Sequence, residues 1–78
     1  MANNQRYINL VELFASEKIK DRFIKMLEMN SMAVIDEFTI DDIGDLQKFR
    51  NHENVYKLVN FRMYITIMID KIYKSANI

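Results

Sequence analysis

The 78-residue sequence contains no cysteine and no proline, and glycine occurs only once. Without cysteine, neither a disulfide bond nor a thiolate metal site can stabilise so small a core. Without proline, and with so little glycine, the chain lacks most of the turn residues that separate the short strands of β-sandwiches and barrels. These absences favour an all-α fold.

The sequence also lacks the segments that direct a protein to a membrane. No apolar run approaches the ~20 residues of a membrane-spanning helix. The stretch MANNQRYINL has no basic region followed by a continuous apolar one, so it does not resemble a signal peptide. We therefore expect a cytoplasmic protein with no membrane partner, folded as a single helical domain over residues 1–78. Isoleucine outnumbers leucine 11 to 5, a bias that suggests an AT-rich coding sequence, as in a small phage or mobile-element protein or a low-GC bacterium.

Charge is unevenly distributed along the chain, although the net charge is zero. Residues 46–78 carry six basic and two acidic side chains, whereas residues 31–45 carry five acidic side chains and no basic one. The five acids are Asp36, Glu37, Asp41, Asp42 and Asp45. They form a candidate docking face for a basic partner, because opposite charges steer association. The alternative is an ordinary solvated face.

Helical spacing of apolar residues begins near the N-terminus. The pattern predicts a first helix from Gln5 to Ala15, after which Ser16 is a candidate N-cap for a second. The same spacing also continues through Ser16, so one long helix over residues 5–29 is an alternative, and we favour a break. Asn30 is typical of a helix end, and Ser31 of the cap of a short helix.

A further helix is predicted after Thr39. Asp42 stands three positions later, as in a capping box, and Lys48 and Arg50 lie where basic residues favour the helix C-terminus. Gly44 lies within this helix, where a glycine most often indicates close packing against a neighbouring helix.

The stretch FRMYITIMID, residues 61–70, fits two periodicities. Apolar residues alternate as in a strand, but they also extend a helical seam over about 20 residues, and a strand needs a partner strand to satisfy its backbone. We therefore predict a long C-terminal helix from about His52 to Lys74. The alternative is a strand paired with residues 32–40 or with another chain, which would make the fold α+β. The expected fold is a small all-α bundle of four or five helices.

The predicted C-terminal helix has more apolar surface than one seam can bury. Its expected core-facing residues are Val55, Leu58, Ile65, Ile69 and Ile72. On that assignment, the residues that point away from the core, with the lysines that flank them, are Phe61, Tyr64, Met68, Lys57 and Lys71. Either the other helices cover this second face, or it is an interface with another protein, of which a two-fold homodimer is the simplest form.

No set of residues points to catalysis, a metal or a cofactor. His52 is the only histidine, and its sequence neighbour Glu53 would lie about 100° away around a helix, so the two do not form a relay. We interpret His52 as a solvated helix-start residue. The acidic run DEFTIDDIGD lacks the ligand spacing and closing glutamate of a calcium loop. We therefore expect a non-enzymatic protein.

DNA binding is the alternative function. Residues 39–62 fit a helix-turn-helix layout, and the second helix would present Asn54, Lys57, Asn60 and Arg62 to DNA. Zero net charge argues against it, because phosphate neutralisation supplies most duplex affinity. The sequence therefore favours a small protein that binds another protein, as an adaptor or inhibitor, and self-associates as a dimer through its C-terminal helix.

Overall fold

The computed structural model describes the backbone of residues 2–76 and the side chains of residues 4–76. Within that range the chain forms five α-helices, two 3-10 helices and no strand. In chain order they are α1 (Ala2–Phe14), α2 (Glu17–Met29), the 3-10 helices η1 (Met32–Glu37) and η2 (Ile40–Asp42), α3 (Ile43–Arg50), α4 (Glu53–Tyr56) and α5 (Val59–Ala76). The predicted all-α fold with a long C-terminal helix is confirmed, and residues 61–70 are helical.

The first two helices form an antiparallel pair. The chain breaks after Phe14, and the carbonyl of Ser16 accepts hydrogen bonds from the backbone of the first turn of α2, as expected at an N-cap position. At the other end, the Asn4 side chain donates to the carbonyl of Leu27 at 2.8 Å. The start of α1 therefore lies beside the end of α2, and the predicted break between two helices is confirmed.

The end of α2 follows the local signals in the sequence. Asn30 adopts the left-handed conformation with φ 51° and ψ 44°, a conformation that asparagine tolerates better than most residues. The next residue, Ser31, caps η1, since its Oγ accepts a hydrogen bond from the backbone N–H of Ala33 at 3.0 Å.

The junction of η2 with α3 has the predicted capping contact. The backbone N–H of Thr39 donates to Oδ2 of Asp42 at 2.8 Å, and Lys48 and Arg50 lie in the last turn of α3. The expectation for Gly44 is wrong, however. A Cβ added there would meet no atom within 4 Å, so this glycine does not allow a close helix approach.

Aromatic rings join the helices at the centre of the core. Phe23 of α2, Phe49 of α3 and Phe61 of α5 are buried and meet edge to face, with ring centroids 5.5–5.9 Å apart. Tyr7 of α1 stacks on Phe61 at 4.2 Å. Such pairs add about 0.5–1.5 kcal/mol each to the effect of burial. Phe61 therefore links α5 to α1, α2 and α3.

The predicted start of the C-terminal helix is wrong. A short helix, α4, ends at Tyr56, and α5 begins only at Val59. The guanidinium of Arg62 donates to the Tyr56 carbonyl at 3.0 Å and lies 4.4 Å from the centroid of the Tyr56 ring. This bond satisfies a carbonyl that would otherwise accept from the next helical turn, so the chain can break here without glycine or proline.

Candidate functional site

The strongest polar contact in the described residues joins α2 to η2. Both terminal nitrogens of Arg22 donate to the carboxylate of Asp42, at 2.7 Å and 3.0 Å. Asp42 is only 2% exposed, and its Oδ2 also accepts from the backbone of Thr39. Arg22 further donates to the carbonyls of Glu37 and Lys18. The guanidinium of this α2 residue therefore bonds to both 3-10 helices, η1 through the Glu37 carbonyl and η2 through Asp42.

The pair shifts the titration of both partners. The hydrogen bond from Arg22 lowers the pKa of Asp42 below its ordinary value, with the backbone bond from Thr39 acting in the same direction against the opposing effect of burial. The same hydrogen bond raises the pKa of Arg22. The arrangement stabilises the ionised carboxylate, which suits a structural ion pair.

The acidic residues proposed as a docking face do not form one free surface. Asp42 is buried, so its assignment to that face is wrong. Glu37 is paired with Lys25 of α2 at 3.4 Å, and Lys18 lies 3.8 Å from Asp42. Basic side chains of α2 therefore form ion pairs with two of the five acids, Glu37 and Asp42. Asp36 and Asp41 are exposed and Asp45 is half-buried.

Two of the residues proposed for the α5 interface lie in the core instead. Phe61 and Met68 have no exposed surface, so the expectation that they point away from the core is wrong. Tyr64 is half-buried, and burial raises the pKa of its hydroxyl. Lys57 and Lys71 are exposed as expected. The core-facing row of α5 is Phe61, Ile65, Met68, Ile69 and Ile72. This row has regular i, i+4, i+7 spacing, a signal that the sequence contained.

The true outer face of α5 carries a different apolar stripe. Val59, Met63 and Ile67 follow one another at intervals of four residues and are 52%, 55% and 47% exposed. Residues four apart lie along one side of a helix, so the three form a continuous strip. We call it the α5 stripe. Since no other described part of the chain buries these side chains, a partner could cover them.

The residues proposed for DNA binding do not lie on one recognition helix. Asn54 lies in α4, Lys57 in the break, and Asn60 and Arg62 in α5. Arg62 is engaged with Tyr56 through its hydrogen bond and ring stacking. The continuous helix over residues 52–62 that the alternative required is therefore absent, while DNA binding itself stays an untested prediction.

A groove lies between α1 and the α4–α5 connection, with a volume of about 520 Å³. Its apolar lining is Leu10, Leu13, Phe14 and Leu58. Its polar lining is Arg6, Asn9, Asn54 and Lys57. Sequence reasoning did not identify this site, although α1 carries apolar residues around more than one side, which is the signal for a second face.

His52 fixes the geometry of this groove. Its ring stacks on Phe14 with centroids 4.0 Å apart, and its Nδ1 accepts a hydrogen bond from the backbone of Asn54 at 3.1 Å. The imidazole therefore caps α4, as predicted for a helix-start residue. It is half-buried against Phe14 rather than solvated, so that part of the prediction is wrong, and it joins α4 to α1. These two contacts hold the groove wall in place.

Other kinds of site receive no support from the described residues. Within residues 4–76, no three histidine, cysteine, aspartate or glutamate side chains come together as a metal-binding group. Over residues 2–76, no helix has the length and apolar character needed to cross a membrane.

Comparison with known proteins gives no match. No protein-family model, curated protein or solved structure matches this chain. The surfaces described above are therefore the basis for a functional proposal.

Proposed function

We propose that this protein acts by binding other proteins, and that it self-associates as a homodimer through the outer face of α5. The observation that supports the proposal is the α5 stripe, Val59, Met63 and Ile67, which lies opposite the buried row of the same helix. Of the eight large apolar side chains that the described residues leave most exposed, five lie between Tyr56 and Tyr73. Exposed apolar residues concentrated in this way are typical of interaction sites.

The dimensions of the stripe indicate a weak dimer. From Val59 to Ile67 the stripe extends over about 12 Å, and a strip about 10 Å wide along that length covers about 120 Å². A standard interface buries about 800 Å² on each partner. Because the stripe supplies only about a seventh of that area, flanking residues must contribute, and we expect dissociation in the micromolar range.

Sedimentation equilibrium across a micromolar concentration series tests the proposal. The wild-type protein should change from monomer to dimer as concentration rises. The variant Met63→Glu should remain monomeric, because each copy would bring a carboxylate into the centre of an apolar contact. Met63 is more than half exposed, so the change should leave the helical circular dichroism signal intact.

Gln47→Glu is the matched control, since it adds the same charge at an exposed position on α3. It should dimerise as the wild type does. A wild-type protein that is strictly monomeric throughout the series, or a Met63→Glu variant that dimerises equally well, would refute self-association through α5.

A further inference from the structure

The groove between α1 and the α4–α5 connection has an exposed apolar floor. Leu13 is 71% exposed, the highest value among the large apolar side chains most exposed in the described residues. Leu10, one helical turn before Leu13, and Phe14, the next residue along α1, are half-buried beside it. This surface shares no residue with the α5 stripe, so self-association through α5 does not account for it.

Two cations stand at the rim of this floor. Arg6 lies one turn before Leu10, and Lys57 lies on the opposite wall. Neither forms an ion pair with the side chains that the structure describes, in contrast to Lys18, Arg22 and the other paired basic residues of α2. No acidic side chain lines the groove. An occupant with carboxylates beside apolar anchors would therefore complement both the floor and the rim.

We propose that this groove binds an acidic amphipathic helix of a partner protein. The lining from Arg6 to Phe14 follows α1 for more than two turns, so a helix laid along α1 can place anchors at i and i+4 over Leu10 and Leu13. Binding of an extended peptide by strand addition is excluded for residues 2–76, because they offer no strand edge.

The groove is also prepared for a partner before binding. The Phe14–His52 stack and the His52–Asn54 hydrogen bond hold its two walls together, so little ordering of the wall is required. Asn9 and Asn54 place amide groups at its edges, where they can hydrogen-bond polar groups of the occupant.

The test uses two synthetic helical peptides of equal length as probes. Both carry leucines four residues apart, flanked by glutamates in the acidic probe and by lysines in the basic one. Titration of the isotope-labelled protein by NMR should show shifts in α1 and α4 amides with the acidic probe. Its affinity should exceed that of the basic probe by about five- to thirtyfold at low salt, the effect of two exposed charge pairs, and the difference should shrink at high salt.

Charge reversal supplies the discriminating variant. Arg6→Glu combined with Lys57→Glu should reverse the preference, so that the basic probe binds more tightly. Lys25→Glu combined with Lys48→Glu is the matched control, since both lysines are exposed and lie outside both the groove and α5. This control should retain the preference for the acidic probe. Leu13→Ser should weaken both probes without disturbing the core, because Leu13 is so largely exposed.

The proposal is overturned if the acidic probe shifts no groove amide at millimolar concentration, if both probes bind equally, or if the control variant changes the preference as much as the groove variant does. These results are separable from self-association. Met63→Glu should abolish the dimer and still bind the acidic probe, whereas Arg6→Glu with Lys57→Glu should lose the probe preference and still dimerise.

Discussion

The Arg22–Asp42 pair provides a quantitative test of the fold. Replacing Asp42 with alanine removes the two charge-assisted hydrogen bonds from Arg22, which together stabilise the fold by about 1.5–3 kcal/mol, and a capping bond to Thr39 worth about 1 kcal/mol. The side chain of Arg22 is 25% exposed, so water can partly rehydrate it after the change. We therefore expect Asp42→Ala to lower the free energy of unfolding by about 2.5 kcal/mol.

The reverse change should cost slightly more. Arg22→Ala removes the main partner of a carboxylate that is 2% exposed in the wild type, and leaves it the Thr39 backbone and Lys18 at 3.8 Å. It also removes the guanidinium from the Phe38 ring, where it lies 4.7 Å from the centroid. We expect about 3 kcal/mol, at the lower end of the range for breaking a buried pair, because solvent reaches this one from the arginine side.

The double variant isolates the interaction. If the two side chains stabilise the fold mainly through each other, the double change should cost about 3.5 kcal/mol rather than the sum, a coupling of about 2 kcal/mol. Urea denaturation followed by the helical circular dichroism signal measures all four proteins. A chain of this length has about 4–12 kcal/mol of total stability, so a stabilising osmolyte should be present in every sample.

The exposed pair Lys25–Glu37 is the matched control for this cycle. Its atoms lie 3.4 Å apart, but its side chains are 55% and 44% exposed. Its coupling should stay below about 0.5 kcal/mol, as is usual for surface ion pairs. A coupling of the same small size between Arg22 and Asp42 would refute the conclusion that their contact holds η2 on α2.

Three further predictions follow from particular residues. Because the hydrogen bond from Arg22 lowers the pKa of Asp42, the ionised carboxylate stabilises the fold fully above about pH 5. This stabilisation is lost as the pH falls through the ordinary value of ~3.9 to the lower folded-state pKa. The stability gap between wild type and Asp42→Asn, measured by urea denaturation, should therefore narrow in acid, and a constant gap would contradict this account. Gly44→Ala should raise the free energy of unfolding by about 0.5–1 kcal/mol, since its new Cβ meets no atom and the backbone is helical; destabilisation would contradict the open environment. Met68→Ala should cost about 2–5 kcal/mol and Met63→Ala less than about 0.5 kcal/mol in the same assay, whereas similar costs would contradict the assignment of the two faces of α5.

The elements that sequence reasoning predicted are those with local signals. Asn30 ends α2 through its own left-handed conformation, and Ser31 and Asp42 make hydrogen bonds within three residues of themselves. Such contacts depend on nearby atoms in the sequence. The pattern of the C-terminal helix was similarly readable, because its apolar residues keep helical spacing over a long segment.

The features that escaped prediction depend on contacts between distant residues. The break before α5 is stabilised by Arg62, whose guanidinium donates to the Tyr56 carbonyl in place of a backbone N–H. No glycine or proline in the sequence indicates this break. The helix pattern alone does not show which of the two apolar sides of α5 is buried. Contacts with Phe23 of α2 and Phe49 of α3 bury the side that carries Phe61, and these contacts are not visible in the local sequence. The groove requires α1 and α4 together, so no single segment indicates it.

The Arg22–Asp42 pair also explains how a poorly hydrogen-bonded segment keeps its place. Residues 32–42 consist mainly of 3-10 helices, whose hydrogen-bond geometry is weaker than that of an α-helix. Side chains of α2 supply additional bonds, because Arg22 donates to the Glu37 carbonyl and Lys18 to the Asp41 carbonyl. A buried ion pair often adds little net stability compared with apolar residues of the same volume. Its directional bonds nevertheless define one position for η2 against α2, and α3, which continues directly from η2, brings Phe49 to the aromatic core from that position.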